Sequence, residues 1–381
     1  MAVRCPRRLM RASSLYIHLP FCASTCAYCS FVTTTRLEWI ARYMAALRRE
    51  VELVGQRGGR VLRTLYLGGG TPSLVPLDEL AKLFATLDRF FPRQAGAEVT
   101  LEANPDDVTQ ERLEGWRQLG INRVSLGIQS FADPVLRLLG RRHTAEQGRR
   151  ALRMLLAFGF VVSCDLMLGL PGLQASQLEG TVRELLALAP HHVSAYLLEL
   201  DKPHRLAKLA QRRPDLFPAE DEVAQQYLLT ARLLEEAGFR HYEVSNWARP
   251  GYLARHNLRY WMGGVVLACG VSAYGQGRRS RWANTADLGQ YLAMLERGLL
   301  PRSVRMCLTE EERTAERVML ALRLDRGAPW EVVERVGQRR PRFQERVKDF
   351  LGAGLAVRRG RRLRLTPQGW LLSNELFATL V

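Results

Sequence analysis

Residues 22 to 29 read CASTCAYC and stand directly behind the apolar run LYIHLPF, 15 to 21. Cys22, Cys26 and Cys29 therefore share one loop leaving what reads as a buried strand. Thiolates are soft ligands, and a compact set of them suits zinc or an iron–sulfur cluster. A structural zinc site calls for a fourth protein ligand, usually from a second C-x₂-C pair. His18 offers itself, but four residues before Cys22 on an alternating strand it need not face the same way. A disulfide framework is a poor match to seven cysteines in 381 residues, sparse and odd in number. With three donors from the chain, a [4Fe–4S] cluster keeps one iron open to another ligand. An open coordination position is what separates catalytic from structural metal sites.

Working outward, VLRTLYLGGG (61–70), EVTLEANP (98–105), RVSLGIQS (123–130), VVSCDLMLGL (161–170) and HHVSAYLLEL (191–200) read as five further strands. Between them lie amphipathic stretches with helical spacing, such as 36–54, and TQERLEGWRQLG, capped by Thr109 and stopped at Gly120. Strands rich in Val, Leu and Ile with little alternation indicate a parallel sheet covered by helices. The fold class is α/β, and six strands point to an incomplete (β/α)₆ barrel rather than a doubly wound sheet. Ligand chemistry in either fold gathers at the C-terminal ends of the strands. Cys22, Gly68 to Thr71, Glu102 to Asn104, Gln129, Asp165 with Gly169, and Glu199 all fall there. The expected division is a basic extension over 1–14, the partial barrel over 15–240, a connecting segment over 241–299 and a mainly helical, winged-helix-like unit over 300–381.

The composition, 47% hydrophobic and 24% charged, provides a substantial core and argues against wholesale disorder. No long uncharged apolar run spans a membrane, which leaves only peripheral contact open. MAVRCPRRLMRASS is basic but lacks a signal-peptide apolar region, so a short transit peptide or a ragged bacterial start is expected. Thiol usage fits a reducing cytoplasm. The net charge of +17 invites a nucleic-acid reading. Only Lys82, Lys202, Lys208 and Lys348 are lysines, however, and the arginines are spread along the chain apart from RRGRRLRL at 358–365. That pattern looks like base composition rather than a binding surface, and speaks against nucleic acid. A redox-cluster protein using its winged-helix-like tail on DNA or RNA remains a distinct alternative.

Residue by residue, both functional and bland readings stand. GGGTPS (68–73) lacks the Lys of a P-loop, so it is either a plain turn or a backbone that lets a ligand's head group approach closely. Glu102 ends an apolar strand, where it pairs either with a structural Arg or with a ligand's hydroxyl or amine. Gln129, Arg141 and Asp165 pose the same choice.

Taken together, LYIHLPFCASTCAYCSF, YLGGGTPS, LEANP, RVSLGIQSF followed by LGRRH, and DLMLGLPG resemble the radical SAM superfamily in order and spacing, and within it the coproporphyrinogen-dehydrogenase-like branch. The resemblance continues through YEVSNWARPGYLARHNLRYW (242–261) and LTPQGWLLSNEL (365–376), covering nearly the whole chain from residue 15. It implies that Cys22, Cys26 and Cys29 hold a [4Fe–4S] cluster whose fourth iron takes the amino and carboxylate groups of S-adenosylmethionine (SAM). It places Tyr16 against cluster and cofactor, Gly69, Gly70 and Thr71 at the methionine head group, and Glu102 near the cofactor. Gln129, Arg141 and Asp165 match positions lining a second SAM in the porphyrinogen enzymes. One electron from the reduced cluster would then break the C5′–S bond, chemistry belonging to the cofactor while the barrel positions it.

Two activities compete within this branch. The oxygen-independent coproporphyrinogen III oxidases have a further Cys two residues after the third cluster ligand; Phe31 stands there in this chain, after Ser30. They also carry a longer segment ahead of their cysteines. HNLRYW (256–261) matches the HNxxYW motif of the haem chaperones of HemW type. The resemblance thus implies a protein that binds haem as cargo and passes it to an acceptor protein, needs an electron donor for its cluster, and lacks oxidase activity. His256 would be an axial iron ligand and Tyr260 and Trp261 would pack on the macrocycle; the bland alternative is a loop histidine beside a core aromatic pair. His143, His191, His192, His204 and His241 stay open as ligands. VVLACGVSAYG (265–275) and LELDKPHRL (198–206) depart from the chaperone pattern, and Cys269 becomes a candidate thiolate for haem.

Overall fold

The computed structural model describes residues 14–58 and 60–380; the basic segment ahead of them lies outside these residues. Six strands, β1 (Ser14–Leu19), β2 (Leu62–Gly69), β3 (Arg93–Ala103), β4 (Arg123–Gln129), β5 (Val161–Leu168) and β6 (His192–Leu197), run parallel. They lie side by side in chain order. A doubly wound sheet reverses direction at a switch point, whereas a barrel winds one way round. The unbroken order therefore makes this the partial (β/α)₆ barrel expected from sequence.

Helices between the strands cover the outer face. In Leu77–Phe90, Leu80, Leu83 and Leu87 are buried while Asp78 and Lys82 form an exposed ion pair. Thr144 opens Ala145–Ala157 with a capping box closed by Gln147. Thr109 caps Gln110–Gln118, accepting from the Arg112 amide.

Three further strands extend the sheet, and the strand pattern did not announce them. β8 (Asn246–Ala248) adds antiparallel to β6 and β7 (Arg240–Glu243) antiparallel to β8, while β9 (Leu267–Cys269) adds parallel to β1. β7 and β9 are the edges and do not pair with each other, so the barrel stays open. Glu50, fully buried on the helix Ile40–Gly55, ties β9 in place. Its carboxylate accepts from the Gly270 amide at 2.7 Å, from Asn284 Nδ2 at 2.7 Å and from the Tyr291 hydroxyl at 2.7 Å.

Beyond the barrel, helices Glu310–Leu322, Trp330–Arg339 and Pro341–Gly352 precede a hairpin of Ala356–Arg359 with Arg362–Leu365. The second hairpin strand also pairs with Ala328–Pro329, completing a small sheet. Val318, Leu322, Phe343, Phe350 and Trp370 form a separate apolar core there. This is the helical, winged-helix-like order read from the sequence. Backbone bonds join it to the barrel: the Val244 amide donates to the Arg323 carbonyl at 3.1 Å and the Asp325 amide to that of Tyr242 at 3.1 Å. No helix among the described residues is long and apolar enough to cross a membrane.

Candidate functional site

The parallel strands deliver their C-terminal ends to one cavity of about 650 Å³, within the range of small-molecule sites. Cys22, Cys26 and Cys29 all line it, half-buried. Their loop is pinned along its length. The Cys22 amide donates to the Thr34 carbonyl at 2.9 Å, Thr34 returns a bond to Pro20 at 2.8 Å, and Ala27 donates to Leu139 and accepts from Leu206, both at 2.9 Å. Two polar side chains reach the sulfurs: Thr71 Oγ1 donates to Cys22 at 3.5 Å and Arg141 Nη1 to Cys26 at 3.6 Å.

Burial pushes the Cys22 thiol up to about 11 and the Cys29 thiol upward as well. A bound metal inverts that balance, since coordination deprotonates a thiol outright. No three His, Cys, Asp or Glu side chains among the described residues converge on a single ion. An iron–sulfur cluster is larger and takes each thiolate at its own iron, so three sulfurs ringing one wall suit it better than zinc. Arg141 supports the fit. Its Nη2 is held by Asn104 Oδ1 at 2.5 Å and the Gly127 carbonyl at 2.8 Å, its Nη1 faces the sulfur, and its buried Nε has no partner. A fixed guanidinium beside thiolate donors compensates the charge that a cluster would bring.

The glycine loop earns its composition from packing. A Cβ on Gly70 would lie 2.7 Å from the Phe21 carbonyl oxygen and from the Pro20 carbonyl carbon, and Gly69, at φ +121°, would meet the His18 ring at 2.7 Å. Only glycine lets this strand end press against the backbone just before Cys22. The Gly70 and Thr71 amides donate to the Leu19 and Phe21 carbonyls at 2.8 and 2.7 Å, coupling the two loops. Gly69, Gly70 and Thr71 remain on the cavity wall.

Glu102 accepts from the Tyr66 hydroxyl at 2.8 Å and from the Gly69 amide at 2.9 Å. Both donors are neutral and no arginine among the described residues pairs with it; burial raises its pKa. Asp165 accepts from Ser125 Oγ at 3.1 Å, and burial, with Glu102 adding, lifts it to about 7. Gln129 sits at φ +64°, where β4 slips register against β5, a backbone strain of the kind that collects at binding sites. The structure thus brings the three cysteines, Gly69, Gly70, Thr71, Glu102, Gln129, Arg141 and Asp165 to one cavity.

Five other candidates lie elsewhere. Tyr16 stacks behind Tyr66, ring centroids 6.0 Å apart, and bonds His18 Nδ1 at 3.1 Å instead of lining the cavity. HNLRYW is not a loop but part of a helix, Arg255–Trp261, which packs beneath the barrel against β2. There His256 is 1% exposed, its Nδ1 bonds Thr64 at 2.9 Å, and its ring packs on Tyr66 at 5.2 Å and Tyr260 at 5.7 Å. Its Nε2 has no hydrogen-bond partner but is buried away from the cavity lining, so burial rather than a bonded partner separates this nitrogen from the site. Burial also lowers its pKa to about 3. Tyr260 and Trp261 likewise do not line the cavity. Cys269 is a fully buried core residue of β9, not an available thiolate. Of the remaining histidines, His143, His192, His204 and His241 are buried and His191 half-buried; His204, which caps Arg205–Arg212, reaches the cavity.

Sequence reasoning missed Tyr66, Ser125 and Arg323. Tyr66 was visible as an aromatic residue at a strand end two positions before the glycines. Arg323 carries no local signal, because its helix reads as an ordinary part of the C-terminal unit.

Comparison with known proteins places the chain. The Radical SAM superfamily profile matches residues 16–185, and the HemN C-terminal domain profile matches 308–372. Haem chaperone HemW of Mycobacterium tuberculosis is 37% identical over 373 residues, 96% of this chain and 94% of that protein. HemW of Bacillus subtilis is 31% identical over 97% of this chain and 99% of that protein. Among solved structures, coproporphyrinogen III oxidase (HemN) of Escherichia coli superposes with a TM-score of 0.85 at 23% identity, covering 97% of this chain and 90% of that one. The last shows the shared fold; the full-length identities go further, and the chain belongs to the radical SAM superfamily and, within it, to the HemW family.

Proposed function

We propose that this protein is a haem chaperone that binds a [4Fe–4S] cluster, SAM and haem and passes the haem to an acceptor protein. The observation that carries this reading is identity of 37% to a HemW haem chaperone over 96% of the chain. Membership of the radical SAM superfamily implies the cluster and SAM. Cys22, Cys26 and Cys29 would hold the cluster, with Thr71 and Arg141 donating to their sulfurs. When bound, cluster and SAM supply one-electron reductive cleavage. Glu102, held by Tyr66 and the Gly69 amide, keeps an acceptor on the cavity wall for a hydroxyl or ammonium of the cofactor. Gln129 and Asp165 offer further polar contacts beside it, and Tyr66, backed by the stacked Tyr16 ring, contributes an aromatic part of the cavity wall. A cytoplasmic location accords with the free thiols that such a site needs.

The test is a haem titration of anaerobically reconstituted protein, followed by transfer to an apo-haemoprotein, beside an oxidase assay with coproporphyrinogen III, SAM and a reductant. Expected are about four irons per chain, saturable haem binding, transfer, and no protoporphyrinogen. Protoporphyrinogen formation would assign the chain to the oxidases instead. Failure to bind haem at all would remove the chaperone reading.

A further inference from the structure

The cavity has a second wall, built by the C-terminal unit, to which nothing above gives a role. Arg323, Trp370 and Asn374 lie on it. The Arg323 guanidinium carbon sits 4.9 Å from the Trp261 ring and 5.7 Å from that of Phe377, so aromatic rings hold it in position. Its main chain is fixed by the bond from Val244. It forms no ion pair among the described residues, and its Nε is buried without a hydrogen-bond partner. Burial lowers its pKa, opposed through space by Glu243 and Glu199. Guanidinium does not shed its proton at accessible pH, so a partly buried one with carboxylates only at a distance gains from a ligand that brings a bonded anion. Beside it the Trp370 indole is locked by its Nε1 donating to the Leu322 carbonyl at 2.9 Å.

A fixed, unpaired guanidinium next to an immobilised indole suits a ligand that is flat, apolar and edged with carboxylates. We infer that Arg323 receives a propionate of the tetrapyrrole, with Trp370 offering its ring to the macrocycle and Trp261 acting as a positioning residue behind the arginine. This rests on the haem reading above. It also gives the HNLRYW helix a route to the cavity: Trp261 does not line it but holds a side chain that does. A SAM carboxylate has the same chemistry, and the SAM arm of the titration separates the two.

The experiment titrates the full-length, reconstituted protein with haem, with haem dimethyl ester and with SAM, in wild type, Arg323→Gln and Trp261→Phe. Wild type should bind haem about tenfold or more tightly than the ester, as a charge-assisted bond warrants. Arg323→Gln should lose most of that discrimination while binding the ester and SAM as before. Trp261→Phe, which keeps an aromatic ring, should retain it largely. Equal affinity of wild type for haem and ester overturns the assignment without recourse to any variant. So does discrimination that survives in Arg323→Gln, or a loss confined to SAM. If wild type binds neither haem nor its ester, the chaperone reading itself falls, an outcome separate from the others.

Discussion

At the scale of single residues, the same side chain can be a ligand or a piece of core, and partners decide. His256 has its Nδ1 committed to Thr64 and its backbone amide to Glu98 at 2.8 Å. His256→Ala should cost about 2–4 kcal/mol of stability through lost packing and the lost Thr64 bond, while haem affinity measured well below the melting temperature stays unchanged. Affinity lost with stability intact would restore the histidine as a haem ligand. Asp165 makes an opposite kind of statement. Its folded pKa of about 7 lies above the ordinary carboxyl value of 3.8, so the folded state holds its proton more tightly than the unfolded one. Stability therefore falls as pH rises from about 4 to 7, and the loss is complete above that window. Asp165→Asn removes the penalty, and cluster-free Asp165→Asn should melt roughly 2–5 °C above wild type at pH 8, with a gain that shrinks steadily as the pH falls towards 4. A gain of the same size at both ends of that range would mean that the carboxyl ionises freely in the fold.

Among elements, the contact that matters is the glycine end of β2 against the root of the cysteine loop. Gly70→Ala places a methyl group 2.7 Å from backbone atoms that cannot swing aside. It should destabilise the fold by about 1–3 kcal/mol and, by displacing Phe21 and Cys22, lower the iron retained after anaerobic reconstitution well below that of wild type. Full iron loading with an unchanged melting point would show that the two loops are not coupled in this way. The element scale also shows what sequence could and could not tell. β1 to β6 were legible because each is a dense apolar run bounded by turn residues, and the cysteine loop because metal-ligand spacing is local. β7, β8 and β9 are only three or four residues long and exist because a neighbouring edge needs partners. HNLRYW was legible as a motif but not as a helix under the barrel, since its burial depends on Thr64 and Glu98, far away in the chain. Glu50 is the sharper case. Nothing in RREVELV marks that glutamate as a buried clamp; its partners are Gly270, Asn284 and Tyr291.

For the molecule as a whole, part of the high positive charge is tied into the scaffold. Arg123 donates to the Tyr252 carbonyl at 3.0 Å, Arg205 to that of Thr25 at 2.6 Å, and Arg240 pairs with Asp325 at 2.6 Å across the junction of barrel and C-terminal unit. The two apolar cores meet at that junction: Val244 of the barrel side packs against the C-terminal core, and Leu371 of the C-terminal unit against the barrel core. Backbone bonds across it and a cavity shared by both parts make independent unfolding expensive, because opening the junction takes Trp370 off the His241 ring and strips Arg323 of the Trp261 ring. Calorimetry of the full chain should therefore give one transition whose van't Hoff and calorimetric enthalpies agree. Haem, touching both walls in the arrangement argued above, should shift that single transition upward by mass action as its concentration exceeds Kd. Two resolved transitions, with only one of them moved by haem, would show that the barrel and the C-terminal unit fold separately and that the cargo rests on one of them alone.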